Sequence, residues 1–395
     1  MTAPEAASAD AALAPRVTLL RDGVAAFPAM IEAIERATQE VLLEMYWFDD
    51  SPVARRFIDA MAERARAGVR VCVLYDAFGS IGASDARFEP LQAAGGRVIE
   101  FNPVAPWRKR FRVEWVERRD HRKILVVDGI VAFIGGMNIG LPWMPAAEGG
   151  GGWRDDVARA EGTAAERARA LFYETWRKQG GDCPADLTFR KRTLRMAARE
   201  VVSGMAGPTA PPPPPEAPEV LGHDAWAARL VIRRTYLSRI RGARRRILVA
   251  NSYFLPDGAV RRGLEQAARR GVEVRVIVPR HSDVPAVAWA TRALYARLLR
   301  AGVCVHEWVG ATLHAKTAVI DDWATTGSYN MDARSWRYNL EANLAASDPA
   351  FVAAVEASLR EDLRGSEEVV AERWARRPWV DRLREWWFYL FRKLL

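Results

Sequence analysis

The chain has 395 residues, more than one hydrophobic core usually holds, so we expect two domains of about 150 to 200 residues each. Apolar residues make up 50% of the chain and aromatic residues 10%, a composition that excludes a disordered protein. The net charge of +9 favours partners that carry phosphate, either nucleic acid or an anionic bilayer, and does not choose between them.

The first residues carry no sign of a targeting segment. Residues 1–15 are rich in alanine and include Glu5 and Asp10, so they lack the basic start and the apolar core of a signal peptide. We expect them to form a flexible N-terminus. No later stretch of about 18 apolar residues is free of charge, so the sequence argues against secretion and against a membrane-spanning helix.

A strand-helix-strand pattern occurs twice in the chain. Residues 41–77 contain an apolar run rich in β-formers, an amphipathic helical stretch, a Gly-Val turn and a second apolar run. The same order starts again at Ile247. An internal repeat of this kind predicts two similar α/β domains.

Prolines separate the two halves. Seven prolines within residues 208–218 interrupt every hydrophobic period and favour an extended polyproline spacer. We therefore place a first domain at residues 16–205, a proline-rich linker at 206–219 and a second domain at 220–365. A ligand for a proline-recognising domain is the alternative interpretation of the linker, and the spacer is preferred.

Each half carries the pattern His-x-Lys followed by four residues and Asp. The residues that fit it are His121, Lys123 and Asp128 in the first half and His314, Lys316 and Asp321 in the second. The chain contains only five histidines, so two matched copies at equivalent places in a repeat are a strong signal. The histidines without such neighbours, which we assign to surface or packing roles, are His223, His281 and His306.

The spacing of these motifs suits chemistry on a phosphate. Both lie in apolar stretches typical of strands, where residues i and i+2 point to the same face, so each histidine lies beside its lysine. Lysine neutralises phosphate oxygens, and an imidazole titrating near neutral pH acts as nucleophile or proton carrier. Two such pairs suit a two-step displacement at phosphorus: one imidazole attacks, and the other protonates the leaving alcohol and then deprotonates the incoming one. A purely structural role is the usual interpretation of a single histidine, and the duplication disfavours it.

These motifs resemble those of the phospholipase D superfamily, and the chain is similar to that superfamily from near Val17 to Ser358. The resemblance is closest to bacterial cardiolipin synthases without transmembrane helices. It extends to the segments LLEMYWF, LYDAFGS, FNPVAPWRKR, WRDDVARAEG and RSWRYNLEANL. It implies an α/β fold of two phospholipase D-like domains, each a mixed β-sheet flanked by helices, related by a pseudo-twofold with the active site between them.

The resemblance also implies roles for individual residues. His121 would be the nucleophile that becomes phosphohistidine, and His314 would be the general acid and base. Glu341 would orient His314, and Asp155 would orient His121. Four side chains would bind the substrate phosphate, namely Lys123, Lys316, Asn138 and Asn330. Two motif carboxylates would support the structure rather than react, namely Asp128 and Asp321.

The implied activity is that of a cardiolipin synthase-type phosphatidyltransferase acting on phosphatidylglycerol. Lysines, asparagines and histidines supply the charge stabilisation in this family, so the resemblance implies neither a metal nor a cofactor. It implies anionic phospholipids rather than nucleic acid as partners, and a peripheral location on the cytoplasmic face of the bacterial cell membrane. The alternatives are a hydrolase of the same superfamily, acting on phospholipid or nucleic acid phosphodiesters, and a non-catalytic binding protein that retains the fold.

Two segments lengthen the first half. The offset between the halves falls from 206 residues at the opening strands to 193 at the histidines, which indicates 13 extra residues around positions 102–119. There Trp107, Phe111 and Trp115 alternate with cationic residues, which suits a loop that enters lipid headgroups or stacks on single-stranded nucleic acid. Residues 145–152, with four consecutive glycines, are either a mobile lid or a plain surface loop, and we prefer the second.

Residues 366–395 form a tryptophan-rich tail. After Pro378, helical spacing places on one face the apolar residues Trp379, Leu383, Trp386, Trp387, Leu390, Phe391 and Leu394. Such an amphipathic helix could lie in the plane of a membrane surface or dock on the protein itself, and the sequence does not decide between these.

Overall fold

The computed structural model of the protein describes residues 17–108, 110–185, 187, 217–222 and 230–394. Residues 1–15, expected to be flexible, lie outside these ranges, as do His223 and residues 206–216 of the expected linker.

The first half of the described chain forms a seven-stranded sheet. Its strands are β1 (Val17–Arg21), β2 (Glu40–Met45), β3 (Arg70–Asp76), β4 (Arg97–Phe101), β5 (Lys123–Val127), β6 (Val131–Gly135) and β7 (Asp156–Glu161). Its helices are α1 (Asp22–Glu35), α2 (Pro52–Arg66), α3 (Glu89–Ala93) and α4 (Thr163–Lys178). The strand order is β1-β7-β6-β5-β2-β3-β4. Because β2 pairs in parallel with β3 and antiparallel with β5, the sheet is mixed.

The second half forms an eight-stranded sheet. Its strands are β8 (Glu219–Gly222), β9 (Arg246–Asn251), β10 (Glu273–Pro279), β11 (Cys304–Trp308), β12 (Lys316–Ile320), β13 (Trp323–Gly327), β14 (Ala342–Ala346) and β15 (Ser366–Glu368). Its helices are α5 (Val231–Gly242), α6 (Gly258–Arg269), α7 (Pro285–Arg300), α8 (Ala333–Arg337), α9 (Pro349–Arg364), α10 (Ala371–Ala375) and α11 (Trp379–Leu390). The strand order is β15-β11-β10-β9-β12-β13-β14-β8.

The strand order of the first sheet recurs in the second. From β4 to β1 the first sheet reads β4-β3-β2-β5-β6-β7-β1, and the second reads β11-β10-β9-β12-β13-β14-β8, with β15 added beyond β11. The predicted internal repeat and the predicted pair of mixed α/β sheets are therefore confirmed. Strand β15 belongs to the stretch assigned to the C-terminal tail, so the first residues of that stretch are part of the second sheet.

The helices of the two repeated strand-helix-strand units begin and end in similar ways. Helix α2 begins after Ser51, whose hydroxyl accepts a hydrogen bond from the amide of Ala54, and Pro52 takes the first helical position. Helix α6 begins after Asp257, whose carboxylate accepts hydrogen bonds from two amides of its first turn. Gly68 and Gly271 follow the ends of these helices with φ of 87°, a conformation that suits glycine.

Three hydrophobic cores hold the fold together. The first sheet packs against α1 and α2 on its outer face, and the second packs against α5, α6 and α7 on its outer face. The third core lies between the two sheets and draws on both, together with α4 and α9, through side chains such as Phe172, Trp176, Phe351 and Leu359. This shared core joins the halves over their inner faces, where the motif strands β5 and β12 also lie.

Helix α11 docks on α7. Its side chains Phe388 and Tyr389 are half-buried against the core of the second half, and Glu385 is buried. Among the residues that the structure describes, no helix has both the length and the apolar character that crossing a membrane requires.

Candidate active site

The two His-x-Lys motifs occupy equivalent places at the centres of the two sheets. Lys123 is the first residue of β5 and Lys316 is the first residue of β12, and each histidine lies two positions earlier. β5 and β12 are central strands with a neighbouring strand on each edge. The motif histidines are buried: His121 is 8% exposed and His314 is 4% exposed.

Backbone hydrogen bonds tie each histidine to the opposite half of the molecule. The amide of His121 donates to the carbonyl of Leu340 at 3.0 Å, and the amide of His314 donates to the carbonyl of Arg154 at 2.8 Å. Short parallel bridges form directly beside these contacts. The two motifs therefore lie at the interface between the halves, as the resemblance implied.

Each imidazole also contacts a carboxylate from the opposite half. His121 places Nδ1 at 3.1 Å from both oxygens of Glu341, and His314 places Nδ1 at 2.7 Å from Asp155. The expected pairing, Glu341 with His314 and Asp155 with His121, is therefore wrong. Leu340 and Arg154, whose carbonyls accept the backbone hydrogen bonds from the histidines, directly precede Glu341 and Asp155. These backbone contacts therefore position each carboxylate beside the histidine of the opposite half.

Burial and the neighbouring ammonium groups lower the pKa values of both histidines. Burial, followed by the charge of Lys123, lowers the pKa of His121, and burial with Lys316 lowers the pKa of His314 well below its usual value. Burial also lowers the pKa of Lys123 to about 7 and that of Lys316 to about 8. Two histidines and two lysines, all of which carry a positive charge when protonated, thus share one buried site. An anion bound among them would stabilise their protonated forms.

Each orienting carboxylate has a second hydrogen-bond donor that fixes it. Ser328 donates its hydroxyl to Glu341 at 2.5 Å, and Trp143 donates its indole N–H to Asp155 at 3.0 Å. Burial acts to raise the pKa of Glu341, but the nearby His121 and Lys123 outweigh it, so the pKa lies below its usual value. Burial raises the pKa of Asp155. With Nδ1 of each histidine facing a carboxylate, Nε2 is the ring nitrogen without a carboxylate partner. At His314, Nζ of Lys316 lies 3.0 Å from Nε2 and 2.8 Å from Nδ1.

The two predicted phosphate-binding asparagines lie in the turns that follow β6 and β13. The side-chain oxygen of Asn138 accepts a hydrogen bond from the amide of Trp47 at 3.0 Å, and that of Asn330 accepts one from the hydroxyl of Ser252 at 2.8 Å. Both asparagines are buried. Because the oxygen end of each side-chain amide is occupied, its NH2 end is the part that could bind a phosphate oxygen.

The two motif aspartates lie at the far ends of the motif strands from the histidines. Each adopts a positive φ, 54° at Asp128 and 51° at Asp321, and turns its carboxylate onto the start of the neighbouring strand. The backbone amides that donate to these carboxylates are those of Thr38, Gln39 and Glu40 for the first, and of Arg244, Arg245 and Arg246 for the second. This geometry agrees with structural support, the role that the resemblance implied for both aspartates.

Aromatic rings surround the imidazoles. The ring of Tyr46 lies 4.8 Å from that of His121, measured between centroids, while Trp143 and Trp153 lie 5.1 and 5.8 Å from His314. The segments noted in the sequence contain Tyr46 and Trp153, without a role for either ring, and they do not include Trp143. The sequence could not show which rings face the site, because that depends on how the connections fold.

Asp283 is a further acidic group near the second motif. It accepts a hydrogen bond from the hydroxyl of Tyr253 at 2.6 Å, and its charge favours the protonated forms of His314 and Lys316. It lies in the connection between β10 and α7, without any motif spacing. No feature of the sequence singled it out, because its position depends on how that connection folds over the site.

The first motif is backed by a buried polar cluster that the second lacks. The guanidinium of Arg122 donates to Glu44 at 3.1 Å, and burial together with Glu44 raises the pKa of Asp120 well above its usual value. The equivalent residues of the second half are Ala250, Leu313 and Ala315. The pseudo-twofold is therefore broken directly behind His121, which gives the two imidazoles different surroundings.

The two segments that lengthen the first half make different contacts. In residues 102–119, Trp107 is 84% exposed and Arg108 forms an ion pair with Asp85. Residues 145–152 fold back through backbone hydrogen bonds, which bring Trp153 against Trp143 with ring centroids 4.9 Å apart. The second segment thus shapes the wall around His314.

Comparison with known proteins identifies the family of the chain. Residues 30–142 and 236–363 match the family described as cardiolipin synthase, phospholipase D-like domain. A cardiolipin synthase of Geobacillus kaustophilus is 32% identical over 94% of this chain and 71% of its own length. The major cardiolipin synthase of Bacillus subtilis is 30% identical over 93% of this chain and 73% of its own length. The chain belongs to the cardiolipin synthase family of the phospholipase D superfamily.

Solved structures agree with the fold of this family. The phosphatidylserine synthase of Haemophilus influenzae superimposes with a TM-score of 0.69 at 16% identity, over 96% of this chain and 95% of the other. A polyphosphate kinase of Porphyromonas gingivalis gives a TM-score of 0.56 at 15% identity, over 88% of this chain and 47% of the other. As a member of the cardiolipin synthase family, the chain is a phosphatidyltransferase.

Proposed function

We propose that this enzyme moves a phosphatidyl group from phosphatidylglycerol to the hydroxyl of a second phosphatidylglycerol, through a phosphohistidine at His121. The observation that carries the proposal is the exchange of carboxylates: His121 and His314 each hold Nδ1 against a carboxylate of the other half. The charges of both lysines act on both histidines, and that of His121 acts on His314, which supports a single site shared by the two motifs.

In the first step, Nε2 of His121 attacks the phosphorus of the donor lipid. The bond from phosphorus to the glycerol oxygen breaks, and His314 gives its proton to that oxygen, so free glycerol leaves. His121 is suited to attack because its lowered pKa keeps the imidazole neutral. His314 must be protonated for this step, and the negative charge of the bound phosphate favours that form.

In the second step, the hydroxyl of the acceptor lipid attacks the phosphohistidine. His314, now neutral, takes the hydroxyl proton, and the bond from phosphorus to Nε2 of His121 breaks, which restores the enzyme. Lys123 and Lys316 neutralise the phosphate oxygens in both steps, and the NH2 groups of Asn138 and Asn330 add hydrogen bonds.

Burial and aromatic rings support transfer over hydrolysis. The reacting side chains are almost completely removed from solvent, and Tyr46, Trp143 and Trp153 surround the imidazoles. A site that excludes water protects the phosphohistidine until an alcohol arrives. Because the substrate is a membrane lipid, we place the enzyme at the surface of the cell membrane, on its cytoplasmic face.

Product analysis tests the proposal. The purified protein is incubated with phosphatidylglycerol vesicles in the presence of a chelator, and the lipids are followed by mass spectrometry. We expect cardiolipin and glycerol in equal amounts, and a loss of at least about a thousandfold in His121→Ala. Asp59→Ala, at an exposed position of α2 on the outer face of the first sheet, is the control and should retain full activity.

Two outcomes would contradict the proposal. Phosphatidic acid as the main product would show a phospholipase that transfers to water. Unchanged lipid beside degraded DNA would show a nuclease of the same superfamily.

A further inference from the structure

Helix α11 uses only one of its faces to dock on the protein. Glu385 is 2% exposed and pairs with Arg377 at 2.8 Å, while Phe388 and Tyr389 pack against the core of the second half. These positions are spaced by three and four residues, so they lie on a single helical face. The contact is therefore specified by particular side chains.

The opposite face of α11 and the residues just after it form an outward apolar surface. Between 42% and 71% of each of its side chains is exposed, and the residues are Trp379, Val380, Leu383, Trp386, Trp387, Leu390, Phe391 and Leu394. Apolar residues scattered singly over a surface are ordinary, but a contiguous apolar patch marks an interaction site. The face that the sequence predicted to be apolar is thus the one that the docked helix leaves open.

The charges beside the outward apolar surface favour an anionic bilayer as its occupant. Arg382, Arg384 and Lys393 are exposed, and helical spacing places them on the flanks of the apolar residues. Tryptophan with flanking cations is typical of helices that lie at the level of lipid headgroups, where the indole has one apolar and one wet side. Each cation near an anionic surface adds to the attraction.

The direction of the helix connects the outward apolar surface with the active site. Trp374, before the helix, packs against Tyr295 of α7 with ring centroids 4.9 Å apart, whereas Arg384 lies 4.7 Å over the ring of Trp289. The tail therefore runs antiparallel to α7, and its last residues extend toward the start of α7. Asp283, whose charge acts on His314, lies two residues before that start.

We propose that the outward apolar surface of α11 inserts into the headgroup boundary of an anionic bilayer, with the helix in the membrane plane. This attachment holds the second half against the bilayer by the end that carries Asp283 and the second motif. The inference rests on the proposed function, because it specifies how the site reaches a lipid substrate.

The test compares Trp386→Glu/Trp387→Glu with the wild-type enzyme in sedimentation with vesicles of phosphatidylglycerol and phosphatidylethanolamine. We expect the apparent affinity of the double variant to fall at least about tenfold, since two carboxylates replace the aromatic centre of the surface. Val24→Glu/Ile130→Glu is the matched control: it places two carboxylates at apolar positions 66% and 64% exposed on the first half, and should bind as the wild type does.

A second measurement separates this inference from the proposed function. Activity on phosphatidylglycerol in detergent micelles should stay within about twofold of wild type in the Trp386→Glu/Trp387→Glu variant, since neither residue touches the site. Unchanged vesicle binding in that variant would overturn the inference while leaving the activity intact. A wild-type dimer that the variant converts to monomers, seen by sedimentation velocity without lipid, would also overturn it, because a second copy would then cover the surface.

Discussion

At the residue scale, His121 and His314 are alike in contacts but different in charge environment. Each holds a carboxylate at Nδ1, and each motif lysine donates to the backbone carbonyl of its own histidine. The pKa of His314 is nevertheless lowered further, and Nζ of Lys316 lies 2.8 and 3.0 Å from the two ring nitrogens of His314. Only His121 has the buried polar cluster of Glu44, Asp120 and Arg122 behind it. The two imidazoles therefore differ in surroundings, and in the proposed mechanism the negative charge of the bound phosphate must offset the effect of burial and of the lysines before His314 can act as the acid.

The shifted pKa values of the histidines and lysines predict how kcat/KM depends on pH, because kcat/KM reports ionisations of the free enzyme. In the proposed mechanism His121 attacks only when neutral. Because burial and Lys123 lower its pKa, kcat/KM should reach half its maximum on the acid side below the usual histidine pKa of about 6.5. Lys123 and Lys316 lose their charge as the pH rises through about 7 and about 8, so phosphate binding should weaken on the alkaline side. We expect kcat/KM to fall about tenfold or more by pH 9.5.

The measurement is a pH profile of kcat/KM with phosphatidylglycerol in detergent micelles. Lys316→Arg is the control, because a guanidinium keeps its charge and should move the alkaline limb to higher pH even if the maximal rate falls. An acid midpoint above pH 6.5, or a flat profile up to pH 10, would contradict this account of the site.

The motif residues could be found from sequence because their spacing is local, and the carboxylate pairing could not. The resemblance implied a carboxylate from the same half for each histidine, and nothing in the sequence contradicted that pairing. The fold exchanges the partners through backbone contacts between halves, which no local pattern records. For the same reason Asp283 escaped notice.

At the element scale, each motif strand is fixed at both ends. At one end stand the histidine and lysine, and at the other the motif aspartate accepts hydrogen bonds from three successive backbone amides. Sequence periodicity predicted these strands and the flanking helices, because alternation and helical spacing are properties of short segments. The docking of α11 was left undecided, since amphipathicity does not show which surface a helix meets.

Removing a motif aspartate should therefore reduce stability and leave the chemistry intact. Asp321→Ala leaves three backbone amides without their acceptor, and we expect the free energy of unfolding to fall by about 1 to 3 kcal/mol. Asp322→Ala is the matched control, because that neighbouring side chain is 78% exposed, and it should change stability by less than about 0.5 kcal/mol.

Both variants are compared by chemical denaturation and by kcat at a temperature where they remain folded. Asp321→Ala should keep kcat within about threefold of wild type, since the carboxylate lies away from the histidines. A large loss of kcat with unchanged stability would assign the aspartate to the chemistry instead of the fold.

At the scale of the whole molecule, the site exists only when the two halves are joined. Arg154, whose carbonyl contacts His314, uses its guanidinium to bind Asp156 of its own half at 2.8 Å and Asp362 of α9 at 2.8 Å. Arg21 binds Asp362 from β1, also at 2.8 Å. The internal repeat predicted that the two halves pair. It did not predict the asymmetry behind His121, because Glu44, Asp120 and Arg122 have no polar counterparts in the second half.

The stereochemical course at phosphorus tests the central claim most directly. Phosphatidylglycerol made chiral at phosphorus with heavy oxygen isotopes is converted to cardiolipin, and the configuration of the product is determined by NMR. Two successive displacements, the first by His121 and the second by the acceptor hydroxyl, each invert the configuration, so the account predicts net retention. Net inversion would mean that the acceptor attacks the donor lipid in one step without a phosphohistidine, and would contradict the role given to the paired imidazoles.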